Sequence, residues 1–111
     1  MIKIVAVIRR RPDIDRAEFL RYWQQEHPAF VRRLPGLRGY RQNPAIEHRK
    51  QWPWDGCAEL WFDDVDAVRA AFNSPEADAL REHETHFIGE LNWFLATETT
   101  VVAPSHEAQS S

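Results

Sequence analysis

A few residues in this chain have chemistry to offer beyond packing. His27, within EFLRYWQQEHPAFVRRL, is the one ionisable residue in the middle of an apolar helical stripe. An imidazole titrates near neutral pH, so on a cavity wall it can pass a proton to and from a carbon acid or a lactone oxygen. Bonded to a backbone carbonyl it would be an ordinary core residue, and its type and position leave both roles open. Tyr40 can donate a hydrogen bond to a carbonyl or a developing oxyanion, or pack its ring and leave its hydroxyl in water. His83 and His86 stand three apart among Glu82, Glu84 and Glu90. Helical geometry sets His83 at the flank of the apolar face and His86 outside it. No third ligand follows at a recognisable spacing, so no metal site is expected. Cys57 is the only cysteine and has no basic neighbour, which predicts an inert thiol on a strand. Arg9, Arg10 and Arg11 are expected to form a solvated edge with acidic partners.

The aromatic residues frame these groups. Trp23, Trp61 and Trp93 fit a pocket for a flat apolar ligand, or plain core. Trp52 and Trp54 fall in the connection HRKQWPWDG, as a lid or a contact between subunits.

The elements that must position them follow from local signals. Ile2 to Ile8 is an apolar run around Lys3, expected as a central strand covered on both faces. Asp15 with Glu18 has the spacing of a capping box, and Phe19, Leu20, Trp23, His27, Phe30, Val31 and Leu34 make one helical stripe. Pro28 predicts a kink or break at Glu26 to Pro28, and Pro35-Gly36 ends the helix. A strand is expected over Leu37 to Ile46, with Pro44 marking an edge, and another over Cys57 to Phe62. Asp63 and Asp64 introduce a helix over Val65 to Phe72. Pro75 starts another, with Leu80, Phe87, Ile88 and Leu91 on one face. Trp93 to Val102 is the expected last strand. Residues 1–103 then form one domain, and 104–111 a polar, poorly ordered tail.

That order is strand, helix, strand, strand, helix, strand. It predicts an α+β, ferredoxin-like βαββαβ fold with a four-stranded antiparallel sheet and its helices on one face. The bare face would carry Val5 and Val7 with either Cys57, Glu59 and Trp61 or Ala58, Leu60 and Phe62. A homodimer burying it sheet to sheet is expected.

Bulk composition excludes several classes. The chain has 111 residues, 43% hydrophobic and 28% charged, with net charge −3. That is one folded domain, and not one whose main partner is nucleic acid. Residues 1–50 hold twelve Lys and Arg against five Asp and Glu, and residues 51–111 hold two against twelve. The two halves are expected to neutralise each other in the fold or across a dimer, with a basic face for an anion as the other reading. A lone cysteine argues for a reducing compartment. MIKIVAVIRRR is too short for a membrane span and ends in arginines instead of starting with them, so a cytoplasmic location is expected.

The run FLRYWQQEHPAFVRRLPGLRGYRQN resembles the EthD-like family of dimeric α/β barrels. The likeness rests on Tyr22, Trp23, His27, Pro28, Pro35-Gly36-Leu37-Arg38 and Tyr40, then Asp55-Gly56, Ala58-Glu59-Leu60, Phe62 and Phe72 to Glu76. The resemblance implies a ferredoxin-like subunit paired through its sheet, with a cavity between sheet and helices. Related members include lactone methylisomerases, polyketide cyclases and dehydratases, and accessory proteins of ether-degrading monooxygenase systems. The catalytic members need neither metal nor organic cofactor. His27 and Tyr40 match polar pocket residues of the lactone-isomerase branch, and His48 is the nearest candidate for a second histidine used there.

The expectation is therefore a cofactor-free isomerase, cyclase or dehydratase acting on a small hydrophobic cyclic or aromatic molecule. His27 would be the acid/base and Tyr40 the hydrogen-bond donor, in a pocket with Tyr22, Trp23, Trp61, Trp93 and His48. A non-catalytic accessory protein using the same cavity, or a cofactor-free oxygenase, is the alternative.

Overall fold

The computed structural model describes residues 1–105; residues 106–111, most of the expected tail, lie outside the described residues. Four strands, β1 (Ile2–Arg10), β2 (Gly39–Pro44), β3 (Gly56–Phe62) and β4 (Ile88–Ala96), form one sheet in the order β2-β3-β1-β4. All its pairings are antiparallel. The first helical segment is α1 (Arg16–Leu20), a π-helical turn (Arg21–Glu26) and α2 (His27–Val31) without a gap, and α3 (Val65–Phe72) and α4 (Pro75–Glu84) follow β3. This is the ferredoxin-like βαββαβ plan. Pro44 ends β2, which is an edge strand, where a missing amide costs no ladder bond.

The helix starts follow the local chemistry. Asp15 Oδ1 accepts from the Glu18 amide at 2.9 Å, Asp64 Oδ1 from Ala67 at 2.8 Å, and Ser74 Oγ from Ala77 at 3.3 Å. Each satisfies an amide that the first turn leaves without a partner. Gly36 takes φ +77°, a conformation that only glycine reaches without strain, and turns the chain toward β2.

The last stretch departs from the pattern reading, since β4 is Ile88–Ala96 and not Trp93 to Val102. Helix α4 stops at Glu84, so Ile88 and Leu91 belong to β4 and not to a helix face. Spacings of three and four fit either state over so short a run, and pairing with β1 decides it. Ile8 lies opposite Leu91, Ala6 opposite Trp93 and Ile4 opposite Leu95.

The core lies between sheet and helices. Ile4, Ala6 and Ile8 of β1 and Ala58, Leu60 and Phe62 of β3 face it, with Phe19, Trp23, Val31, Val68, Leu80 and Phe87 packed on them. The other face of the sheet therefore carries Val5, Val7, Cys57, Glu59 and Trp61, and Phe94 lies there opposite Val5. It is not purely apolar. Lys3 Nζ donates to Glu59 at 2.7 Å and to Glu98 at 2.9 Å, and sits 5.3 Å from the Trp61 ring centre.

The basic and acidic halves meet within the fold. Arg38 pairs with Asp63 at 3.1 Å, Arg9 with Glu90 at 2.5 Å, and the Arg10 amide donates to Asp55 at 2.8 Å. Arg9 to Arg11 form the expected edge with acidic partners, Arg11 binding Asp13. No helix among the described residues is long and apolar enough to cross a membrane.

Candidate functional site

Pro28 determines the local geometry around His27. The expected kink takes the form of a widened turn over Arg21–Glu26, in which the His27 amide donates to the carbonyl of Tyr22, five residues back. In that turn the next amide would bond the carbonyl of Trp23, but Pro28 has no N–H. Gln42 on β2 supplies the missing donor, its Nε2 reaching the Trp23 carbonyl at 2.7 Å. The same Nε2 lies 2.6 Å from the Tyr40 hydroxyl. Since the amide donates there, the phenol oxygen accepts and its O–H is free to point elsewhere.

His27 and Tyr40 line a common cavity of about 480 Å³ between sheet and helices, within the size range of small-molecule sites. Its walls are chiefly apolar, with Ile4, Leu60, Trp23, Val68, Leu80 and Leu91 among them. Trp93 and Leu95 close it at β4, where Trp93 keeps 59% of its surface exposed and marks the mouth. Arg69, Asn73 and Arg81 lie at the helical rim.

Glu84 faces this space as well, a residue that the sequence presented only among the acids beside His83 and His86. Its Oε2 stands 3.8 Å from His27 Nε2. Burial pushes its carboxyl up from 4.5 to about 7, against a smaller downward pull from Arg81. Burial, with a smaller contribution from His83, pushes His27 down from 6.5 to about 4. Tyr40 is raised mainly by burial. Near neutral pH the histidine is uncharged and the glutamate shares its time between acid and base.

Behind His27 lies His83, which α4 turns inward against α2 and not outward with His86. The two Nδ1 atoms are 2.9 Å apart, and the Phe30 ring stacks on His83 at 4.4 Å. His83 Nε2 faces Glu26 Oε1 at 3.3 Å. Glu26 also pairs with Arg21, and the bond from His83 is the main cause that holds its carboxyl below the usual range. The signal available in sequence was the adjacency of His83 and Glu84. Nothing local says that this corner of α4 is buried.

The remaining pocket expectations separate. Trp23 and Trp93 line the cavity. Tyr22 does not; it stacks on His86 at 5.9 Å and on Phe87 at 6.0 Å, because the widened turn rotates it toward the end of α4. Trp61 is on the opposite face of the sheet, since strand alternation puts it out of phase with Leu60. His48 lies 5.5 Å from Trp52, and both border a separate groove beside α1 with Arg9, Arg10 and Arg16. Trp54 sits under the Arg9 guanidinium at 4.7 Å. The Cys57 thiol is pushed up by burial first and by Glu59 second, away from a reactive thiolate.

Solved structures match this fold over most of their length. An ethyl tert-butyl ether D (EthD) family protein from Bacillus halodurans superposes with a TM-score of 0.76 at 22% identity, covering 89% of this chain and 99% of that one. HapK from Hahella chejuensis gives 0.71 at 17%, covering 95% and 99%. A dimeric ferredoxin-like protein of unknown function from Thermobifida fusca gives 0.70 at 13%, covering 87% and 90%. No curated protein matches the sequence at a significant level. The model of the EthD domain matches residues 11–90, a span that runs from the end of β1 through the polar groups of the cavity to the start of β4, and the chain belongs to the EthD family.

Proposed function

We propose that this chain binds a small hydrophobic cyclic or aromatic metabolite in the cavity and moves a proton on it without a cofactor, as an isomerase, cyclase or dehydratase. The observation that carries the reading is a cavity carboxyl poised at about 7 beside an uncharged imidazole and a tyrosine hydroxyl. A base is most useful when its pKa lies near the operating pH. That moves the acid/base role from His27 to Glu84. The ionised Glu84 removes a proton from a carbon next to a carbonyl, and the electron pair flows to the carbonyl oxygen. Tyr40 donates its O–H to that oxygen as charge develops. The protonated Glu84 then returns the proton to another carbon, or to a departing hydroxyl in a dehydration. His27 Nε2 faces the carboxyl that holds the proton between the two steps.

The chain acts as a homodimer joined through the open sheet face, which the half-buried Val5, Val7 and Trp61 and the exposed Phe94 support. The Thermobifida protein, described as dimeric, supports a dimer. The single cysteine fits a cytoplasmic setting.

The test is turnover and binding over a panel of lactones and polyketide-like aromatics. Glu84→Gln should keep binding, read from quenching of tryptophan fluorescence, and lose about 10²-fold or more in kcat. Unchanged turnover in Glu84→Gln removes the glutamate from the chemistry. Binding with no turnover by the parent chain on any compound leaves the accessory reading in its place.

A further inference from the structure

We propose that Glu26 and His83 are positioning residues that set the tautomer of His27 and link the cavity to solvent as a proton path. The inference rests on the proton-transfer reading of the cavity and extends it to groups that no substrate would touch.

Four polar groups run in one line from surface to cavity. Glu26 Oε1 faces His83 Nε2 at 3.3 Å, His83 Nδ1 faces His27 Nδ1 at 2.9 Å, and His27 Nε2 faces Glu84 Oε2 at 3.8 Å. The line is dry along its middle. His27 and His83 are 5% and 6% exposed, with Phe87 5.1 Å from one ring and Phe30 4.4 Å from the other. Its outer end is wet, Glu26 having 41% of its side chain exposed beside Arg21. The other titratable groups against it are Tyr22 and His86, both in ring contact with His83, and Arg81 and Tyr40, which face Glu84 in the cavity.

The line has a direction. An ionised carboxylate only accepts, so His83 must carry its proton on Nε2 to face Glu26. In the neutral ring Nδ1 is then an acceptor, which requires the Nδ1–H form of His27. That leaves the Nε2 lone pair of His27 aimed at the cavity and at Glu84. The reverse pair of tautomers would set a lone pair against the Glu26 carboxylate at 3.3 Å, the closer of the two carboxyl contacts, whereas Glu84 in its protonated form donates to the His27 lone pair. Glu26 therefore selects the tautomer of a residue on the far side of another ring.

The same line can carry a proton outward. Once the Glu84 carboxyl crosses the 3.8 Å to His27 Nε2, its O–H bond breaks as N–H forms there. The His27 Nδ1–H passes to His83 Nδ1, and the His83 Nε2–H passes to Glu26. One proton leaves Glu84 and one arrives at Glu26, both rings stay neutral, and their tautomers reverse until a proton returns.

Long-range proton–nitrogen NMR on the full chain with ¹⁵N-labelled histidine, near neutral pH and without ligand, tests this. The parent should show His27 as Nδ1–H and His83 as Nε2–H. In Glu26→Gln the amide can donate or accept, so the opposite tautomers of both rings should rise to a comparable population. The exposed His48 should not change. A parent His27 in the Nε2–H form overturns the inference, and so do unchanged tautomers in Glu26→Gln. Neither result needs turnover. A tautomer shift without any activity would sink only the catalytic reading, and lost activity in Glu84→Gln with fixed tautomers would sink only the relay.

Discussion

Replacing Glu84 with glutamine should tilt a pH profile of stability that His27 and Glu84 together hold nearly level. His27 goes from 6.5 to about 4 on folding, and Glu84 from 4.5 to about 7. A histidine with a lowered pKa costs stability below its unfolded value, so its penalty grows as pH falls from 6.5 to 4. A carboxyl with a raised pKa costs stability above its unfolded value, so its penalty grows as pH rises from 4.5 to 7. Each shift is worth about 3 kcal/mol at its limit, at 1.36 kcal/mol per pH unit. The side chains are 6% and 24% exposed, so solvent screening removes little of this. Between pH 4.5 and 6.5 the unfolded chain keeps the one proton on the histidine, and the folded chain keeps it on the glutamate. The proton count is equal and the two slopes cancel to within about half a kcal/mol. Glu84→Gln leaves only the histidine slope, and its stability should rise by about 2 kcal/mol from pH 4.5 to 6.5 relative to the parent. His27→Asn should fall by a similar amount over the same window. Urea unfolding at half-unit pH steps reads the difference, and the other titrating groups cancel between variant and parent. A flat difference for Glu84→Gln would mean that the carboxyl titrates in its usual range, and the argument for an acid poised in the cavity would fail with it.

Two further outcomes test the scaffold. A Cβ on Gly56 would lie 2.5 Å from Cη2 of Trp23, so Gly56→Ala must displace the indole from the cavity wall. We expect a loss of roughly 1–3 kcal/mol in chemical denaturation; an unchanged midpoint would show that the slot is wider than it looks. For the subunit pairing, light scattering should return twice the 13.0 kDa chain mass, and Val7→Lys, in the middle of the open face, should return one chain. A parent that scatters as a single chain at micromolar concentration ends the dimer reading.

Several features were open to reading in the residue order because their causes are local. Asp15, Asp64 and Ser74 cap helices through amides three residues away. Gly36 turns the chain on its own torsion angle, and Pro28 withholds one hydrogen bond from a fixed neighbour. The order of strands and helices then admits few sheets, and Pro44 marks the edge of this one. His27 and Tyr40 were paired through the resemblance to the EthD-like family, and they do line one cavity.

What the order of residues left open needed a third dimension. Alternation along β3 divides Trp61 from Leu60 without saying which side the helices cover, and Tyr22 turns away from the cavity because the widened turn rotates it. The run from Phe87 to Leu91 fits a helix or a strand until β1 lies alongside. Glu84 and His83 are the clearest case. As text His83 is a residue at the flank of a helix face and Glu84 one of several neighbouring acids, with nothing to lift the carboxyl from its usual range. Only the packing of α4 against α2 removes water there, sets His83 on His27, and leaves the Glu84 carboxyl facing an apolar cavity. A pKa is a property of surroundings, and the surroundings of Glu84 come from elements more than fifty residues apart in the chain.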